Sequence, residues 1–212
     1  MSTLGEMKET IASEIMRDDL TDAIAKEIDK AIKFYRSKRF WFTEKLATVT
    51  FSTVADQTQY TSTASSYIPD LIRIDSMTIT RNGSVTDIEP ISELDMKLLL
   101  GGVSPLSNPP TYYSYYGQLL NLYPVPDGAY PIVIAGVVHV AAPATDGETG
   151  NPWMNEAEEL IRCRAKRNLY LHWMSDRDEA GNMATAESEA LSELQKETSS
   201  RSQVSRLTPC DL

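Results

Sequence analysis

The chain of 212 residues carries 30 acidic and 20 basic side chains, so its formal net charge is −10. Hydrophobic residues make up 42% of the chain and charged residues 24%, which is typical of globular proteins. No apolar stretch approaches the roughly 18 residues that a membrane-spanning helix needs. The N-terminus is acidic and lacks the basic and apolar regions of a signal peptide, so we expect no membrane association.

Two helices are predicted before residue 43. Apolar residues recur every three or four positions from Asp19 to Lys38, which is typical of an amphipathic helix, and Asp18 or Asp19 can serve as its N-cap. The aromatic run Phe40 to Phe42 follows and is interpreted as a plug in the core. A shorter helix is predicted before them from apolar residues spaced by four: Met7, Ile11 and Ile15.

The middle of the chain is predicted to be rich in β-strands. Residues 44–61 are rich in Thr, Val and aromatic residues and predict two strands joined at Ala55-Asp56. Asn82-Gly83 lies between extended runs and predicts a β-hairpin, because a type I′ turn needs the positive φ that Asn and Gly adopt. A short helix is predicted from Ser92 to Gly101.

The stretch from Tyr112 to Val138 predicts a three-strand β meander. Its last strand has apolar residues on both sides, which indicates an internal strand or one covered on both faces. The following segment, 142–152, contains small and polar residues and predicts a surface loop.

Two further helices are predicted near the C-terminus. Apolar residues at a spacing of four indicate a helix from Trp153 to Met174. A second pattern, from Asp178 to about Glu197, is acidic and has a weak apolar stripe, which suggests a helix that completes its burial against a partner. The polar tail Ser199 to Leu212 is expected to be disordered in the free protein.

These patterns predict an α+β fold, in which N- and C-terminal helices form a bundle with an inserted antiparallel β-sheet and hairpin region. The predicted divisions are the N-terminal helices 1–43, a β-rich insertion 44–142 with a short helix, the C-terminal helices 143–200 and a flexible tail 201–212.

No sequence motif indicates catalysis, a cofactor or a metal, so we predict a protein that is not an enzyme. Phosphate-binding glycine motifs are missing, and His139 and His172 do not have the spacing of metal ligands. Cys163 and Cys210 are far apart and predict neither a disulfide framework nor a thiolate site, so the reducing cytosol is the simplest compartment. An acidic cluster begins the Trp153 helix, where the helix dipole favours negative charge: Glu156, Glu158 and Glu159.

Basic residues gather at 33–41 and at 162–167, each on a predicted helix. We interpret both clusters as solvated or subunit-contacting faces, with nucleic-acid contact as the alternative. The net charge of −10 disfavours that alternative, because binding to phosphates needs a basic surface.

The order of two segments resembles a known family. Ile28 to Tyr60 has a helix, an aromatic plug and a strand that leads to a tyrosine, and Pro109 to Ile134 has the pattern P-x-x-Y…G…L-x-L-x-P-x-P-D…Y. With the loop, tryptophan and helix that follow, this order resembles the adaptor, or head-to-tail connector, proteins of tailed bacteriophages, especially the short-tailed kind. The resemblance covers roughly Leu20 to Trp173.

The resemblance implies a structural virion protein, assembled in the host cytoplasm, that forms a ring of usually twelve copies. Such a ring joins the portal protein to a nozzle or other tail protein, and genomic DNA passes through its channel without specific binding. The alternatives are a stopper or nozzle protein one layer below, a tail-associated peptidoglycan hydrolase, or a cytosolic helical regulator without a virion role.

Two groups of residues are predicted to form interfaces. Tyrosine offers a large amphipathic contact area at small entropic cost, which favours four residues of the meander: Tyr112, Tyr113, Tyr115 and Tyr116. The alternative is that these tyrosines only cover the sheet of a monomer. The second group lies in the tail, which we expect to become ordered on binding: Val204, Arg206 and Leu207.

Overall fold

The computed structural model describes residues 2–46, 50–61, 70–102 and 106–201. It has an α+β fold with 47% helix and 23% strand, which confirms the predicted fold class. The chain divides into two compact units, one from Met1–Phe42 with Val140–Leu212 and the other from Thr43–His139. The first unit is helical, and the second contains the strands.

The α-helices in chain order are α1 Leu4–Ile15, α2 Thr21–Tyr35, α3 Glu93–Leu100, α4 Pro152–Asn155, α5 Glu158–Leu169 and α6 Arg177–Arg201. The β-strands are β1 Glu44–Leu46, β2 Phe51–Ser52, β3 Gln59–Tyr60, β4 Leu71–Arg81, β5 Ser84–Asp87, β6 Glu89–Pro90, β7 Tyr112–Tyr116, β8 Leu119–Tyr123 and β9 Pro131–Val138.

The N-terminal helices form where the sequence predicts them, but the predicted cap of the second helix is wrong. A 3₁₀ turn, Asp18–Leu20, precedes α2, so the N-cap position falls on Leu20, which makes no capping hydrogen bond with its side chain. The carboxylate of Asp19 instead accepts a hydrogen bond from Arg17 Nε at 2.7 Å. Helix α1 begins with a capping box between Thr3 and Glu6, which satisfies two otherwise unpaired N–H groups.

Aromatic side chains pack in the core of the helical unit, as the plug interpretation expects. Trp153 is fully buried, and its indole N–H donates to the carbonyl of Val140 at 3.0 Å. The rings of Phe40 and Phe42 pack edge-on against Trp153, with centroid distances of 6.1 and 5.2 Å. Edge-to-face contacts of this kind add stability beyond the burial of apolar area.

The predicted Trp153–Met174 helix is interrupted. Helix α4 ends at Asn155, and α5 begins only after Ala157, whose backbone (φ −115°, ψ 17°) departs from helical geometry. A π-helical turn, Tyr170–Met174, then ends at Ser175 in the left-handed region. The following helix α6 packs against α5 of the same chain, so the apolar stripe that was expected to need a partner is covered at least partly within the protein.

A buried carboxylate joins three helices of the helical unit. Glu187 of α6 is 5% exposed and accepts hydrogen bonds from the hydroxyl of Tyr35 in α2 and from two arginines of α5. Its oxygens lie 2.8 Å from Arg164 Nη1 and 3.0 Å from Arg167 Nη1. Burial alone would raise the pKa of Glu187, but the hydrogen bonds from Tyr35 and the two arginines lower it. The carboxylate is therefore held in its charged form.

The β-rich unit contains two sheets with an apolar core between them. One sheet has the order β1-β9-β4-β5, with β2 also paired to β9, and the other has the order β3-β8-β7-β6. The central position of β9 confirms that this strand is internal. The predicted meander is wrong, because β7 and β8 pair in one sheet while β9 belongs to the other. The strands on either side of Ala55-Asp56 likewise enter different sheets.

The turn and cap predictions of this unit are confirmed. Asn82 and Gly83 have φ values of +50° and +78° in the hairpin between β4 and β5. Ser92 caps α3 by accepting a hydrogen bond from the backbone N–H of Asp95 at 3.1 Å. The short strand β6 pairs in parallel with β7, so the second sheet is mixed rather than purely antiparallel.

Replacing Glu187 by Ala should destabilise the helical unit, because two partly buried arginines and a buried tyrosine would lose their shared acceptor. We expect a loss of about 2 to 3 kcal/mol in the free energy of unfolding at pH 7, measured by urea denaturation followed by helical circular dichroism. The matched control is Glu189→Ala on the exposed side of the same helix, for which we expect a change within about 0.5 kcal/mol.

The same pair of variants should show a defined pH dependence. Because the pKa of Glu187 is lower in the folded protein than its ordinary value of 4.5, its contribution is complete above pH 4.5 and is lost as the pH falls through the folded pKa. The difference between the parent and Glu187→Ala should therefore shrink in acid. Equal losses for the two variants at pH 7, or a difference that does not change with pH, would contradict the buried contact.

Candidate interaction surface

Helix α3 covers the outer face of the four-stranded sheet and exposes leucines on its other side. Its Glu93 carboxylate accepts a hydrogen bond from the Ser114 hydroxyl of β7 at 2.8 Å. Met96 is buried, whereas Leu94 and Leu98 are 69% and 70% exposed. Leu94 and Leu98 are four residues apart and therefore lie on one face of the helix, opposite Met96.

The tyrosines of β7 alternate between the two faces of the sheet. Tyr113 is buried in the core between the sheets, and Tyr115 packs against the same core and donates its hydroxyl to the carbonyl of Leu71 at 2.7 Å. Tyr112 and Tyr116 are on the other face with Ser114, because side chains of a strand alternate. Tyr116 is 71% exposed, and Tyr112 is partly exposed. Of the four tyrosines predicted to form an interface, two therefore pack inward.

Burial raises the pKa values of the two inward tyrosines, Tyr113 and Tyr115. It raises the pKa of Tyr113, to which the charge of Asp75 adds, and it raises the pKa of Tyr115, to which Asp70 adds. Both hydroxyls therefore remain protonated at neutral pH, and that of Tyr115 acts as a donor in the β-rich unit.

The outward residues define a surface that we call the α3 surface: Leu94, Leu98, Tyr112 and Tyr116. Exposed large apolar side chains and exposed tyrosines are typical of protein-binding surfaces. The two leucines were not predicted to be functional. The sequence does contain a signal for them, because leucines at positions 94, 98, 99 and 100 are more than one face of so short a helix can bury.

The second predicted interface lies outside the described residues, which end at Arg201: Val204, Arg206 and Leu207. Helix α6 nevertheless extends three residues into the predicted tail. Its last turn is held by the Trp41 backbone N–H, which donates to Thr198 Oγ1 at 3.2 Å, and by Arg201, whose guanidinium lies 3.8 Å from the Trp41 ring centroid. The last described turn of α6 is therefore attached to Trp41 of the same unit.

The basic cluster at 162–167 is engaged in ion pairs within the helical unit. Arg162 and Lys166 contact the two carboxylate oxygens of Glu14 at 2.8 and 2.9 Å, while Arg164 and Arg167 contact Glu187. These contacts bring α1 and α6 against α5. Much of the basic charge of this helix is thus neutralised by the protein's own carboxylates.

Cys163 and Glu159 of α5 have pKa values shifted away from those of a reactive thiolate and of a glycosidase acid. Burial raises the pKa of the Cys163 thiol to about 12, with a further contribution from Glu159, so the reactive thiolate is disfavoured. Burial would raise the pKa of Glu159, but hydrogen bonds from Arg162 and Cys163 lower it overall. A glycosidase acid needs the opposite shift.

The described part of the chain has neither a metal-binding cluster nor a membrane-spanning helix. Within it, no group of three or more His, Cys, Asp and Glu side chains could hold a metal ion. Over the same residues, no helix is both long and apolar enough to cross a bilayer.

The two orientations of the tyrosines predict different effects on stability. Tyr113→Ala should lower the free energy of unfolding by about 3 kcal/mol, because it removes a ring from the core between the sheets. Tyr116→Ala on the same strand should change it by no more than about 0.5 kcal/mol. Thermal and urea denaturation of the two variants measure the difference. Comparable losses would show that Tyr116 also packs inward.

Comparison with known proteins agrees with the resemblance found in the sequence. A family model described as SU10 adaptor protein matches residues 2–209, which include nearly all of both units. A search of curated proteins finds no match. The matching family is one of phage head-tail adaptors, which implies a structural connector in the virion that interacts with other phage proteins. The chain therefore belongs to the SU10 adaptor protein family.

Proposed function

We propose that this adaptor is of the short-tailed phage type and forms a ring, of about twelve copies, between the portal and the tail. The observation that carries the proposal is the family match over residues 2–209. The ring would extend the DNA channel of the portal. With a net charge of −10 on each copy, it would repel the genome and let it pass without specific binding.

The alternatives receive less support from the fold, from the pKa of Glu159 and from the family match. A stopper or nozzle protein would favour a β-rich composition, whereas this chain has about twice as much helix as strand. A peptidoglycan hydrolase would need a carboxyl group with a raised pKa, whereas the pKa of Glu159 is lowered. A cytosolic regulator would not explain the adaptor family match.

The two units suggest a division of binding roles. We assign portal binding to the helical unit and its tail, in which Val204, Arg206 and Leu207 would contact the portal. We assign binding of the nozzle or other tail protein to the α3 surface of the β-rich unit, because its leucines and Tyr116 are exposed. The protein would assemble in the host cytoplasm and remain in the virion at the portal-tail junction.

Mass photometry tests both roles with the portal ring and the tail protein encoded by the same phage genome. The parent protein should add about twelve copies to the portal, and the complex should then recruit the tail protein. Leu98→Asp should still bind the portal but should recruit the tail protein at least tenfold less well, because it replaces an exposed leucine of the α3 surface by a charged residue.

The matched control is Val85→Asp, which replaces another exposed apolar residue of the β-rich unit on a strand of the other sheet. This variant should behave as the parent does. A parent protein that never binds the portal would overturn the ring proposal. Normal recruitment of the tail protein by Leu98→Asp would instead remove only the role of the α3 surface.

A further inference from the structure

The two basic clusters of the sequence meet in one groove of the helical unit. This basic groove, of about 260 Å³, lies among α2, α5 and α6. Lys38, just after α2, and Arg164 and Arg167 of α5 line it together with the half-exposed ring of Phe34 and the buried Glu187. Three basic groups face one carboxylate, so the groove has a net positive charge in a protein that is acidic as a whole.

The arginines of the basic groove are held in place before any partner arrives. The Arg164 guanidinium lies 3.9 Å from the centroid of the Phe34 ring, and one nitrogen of each arginine contacts Glu187. A guanidinium has five N–H donors, so each arginine retains further donors for an acidic group. Little side-chain entropy would be lost on binding, because the positions are already fixed.

An acidic groove lies elsewhere on the same unit. It has a volume of about 170 Å³ and lies between the α4–α5 segment and α6. Four carboxylates line it around Leu160 and Leu194, and two of them are paired, Glu159 with Arg162 and Glu197 with Arg201. The other two are exposed and have no ion-pair partner within the described ranges: Glu156 and Glu193.

The two grooves flank the buried stripe of α6. Glu187, Ala190 and Leu194 belong to this stripe. At 100° per residue, Ser188 and Leu191 of the basic groove fall on one side of the stripe, and Glu193 and Glu197 of the acidic groove fall on the other. The protein therefore presents surfaces of opposite charge on two distinct faces.

We propose that neighbouring copies in the ring bind head to tail, with the basic groove of one copy against the acidic groove of the next. The inference rests on the proposed ring. Lys38, Arg164 and Arg167 of one copy would face Glu156 and Glu193 of its neighbour. Contact between two different surfaces of one chain is heterologous, and such contacts close into rings when the rotation between copies allows it.

Charge favours a second copy, rather than DNA, as the occupant of the basic groove. Each copy is acidic overall, and the floor of the groove is itself a carboxylate, which would repel a phosphate backbone. In the acidic groove of a neighbouring copy, Glu159 and Glu197 are already paired with Arg162 and Arg201, so the carboxylates of Glu156 and Glu193 remain to approach the arginine donors. The resulting association should weaken as salt screens it.

Charge reversal at Lys38 and Glu193 tests the proposed contact, because the double variant should restore what each single variant loses. Lys38→Glu and Glu193→Lys, each alone, should reduce addition to the portal ring at least tenfold. The double variant should recover most of the loss, because each interface then brings Lys at 193 against Glu at 38. Matched controls on the exposed side of α6 are Lys196→Glu and Glu189→Lys, and both should assemble normally. Normal assembly of the single variants, or failure of the double variant to recover, would overturn the proposed contact.

A second measurement tests the contact between copies without the portal. Equal amounts of ¹⁴N- and ¹⁵N-labelled parent protein are concentrated and treated with a carbodiimide, which joins an amine to a carboxylate in direct contact. A mixed-isotope peptide that links Lys38 to Glu193 or Glu156 would support the contact between copies. A parent protein that fails to bind the portal would overturn the ring proposal alone. If the cross-linked peptide is also absent, the contact between the two grooves is overturned as well.

Discussion

The helical unit depends on the contact that the buried carboxylate of Glu187 makes with two other helices. Its three donors come from α2 and α5, so the contact ties a helix before the β-rich insertion to two helices after it. A buried charge that lacked any of these donors would be costly, so α6 must pack with the face that carries Glu187 toward α2 and α5. The same contact fixes Arg164 and Arg167 in the basic groove, and it thereby links the stability of the unit to the surface that we propose for assembly.

The β-rich unit is organised by a different constraint, the burial of apolar side chains between two sheets. Alternation along β7 sends Tyr113 and Tyr115 into that core and leaves Tyr112 and Tyr116 on the face that α3 partly covers. Packing of the core therefore determines which tyrosines of β7 stay exposed. The helical unit has charged grooves and the β-rich unit exposes apolar side chains, so the surfaces that we propose for binding differ in chemistry between the two units.

Local signals in the sequence were sufficient for the elements but not for their pairing. The hairpin at Asn82-Gly83 was predictable because its turn chemistry is local. Strand alternation gave β7, β8 and β9, but it carries no information on which sheet each strand joins, and so the meander was wrong. Glu187 was missed because α6 is acidic throughout, although its spacing from Ala180 and Leu194 places it on the buried stripe. Its arginine partners on α5 could be identified only from tertiary structure.

Carboxyl footprinting with a carbodiimide and glycine ethyl ester, on the free protein and on the portal-bound ring, tests these assignments most directly. Glu187 should resist labelling in both states, because it is buried and hydrogen-bonded. Glu156 and Glu193 should be labelled in the free protein and protected in the ring, while Glu189 should be labelled equally in both. Rapid labelling of Glu187 in the folded protein, or unchanged labelling of Glu193 on assembly, would contradict the account.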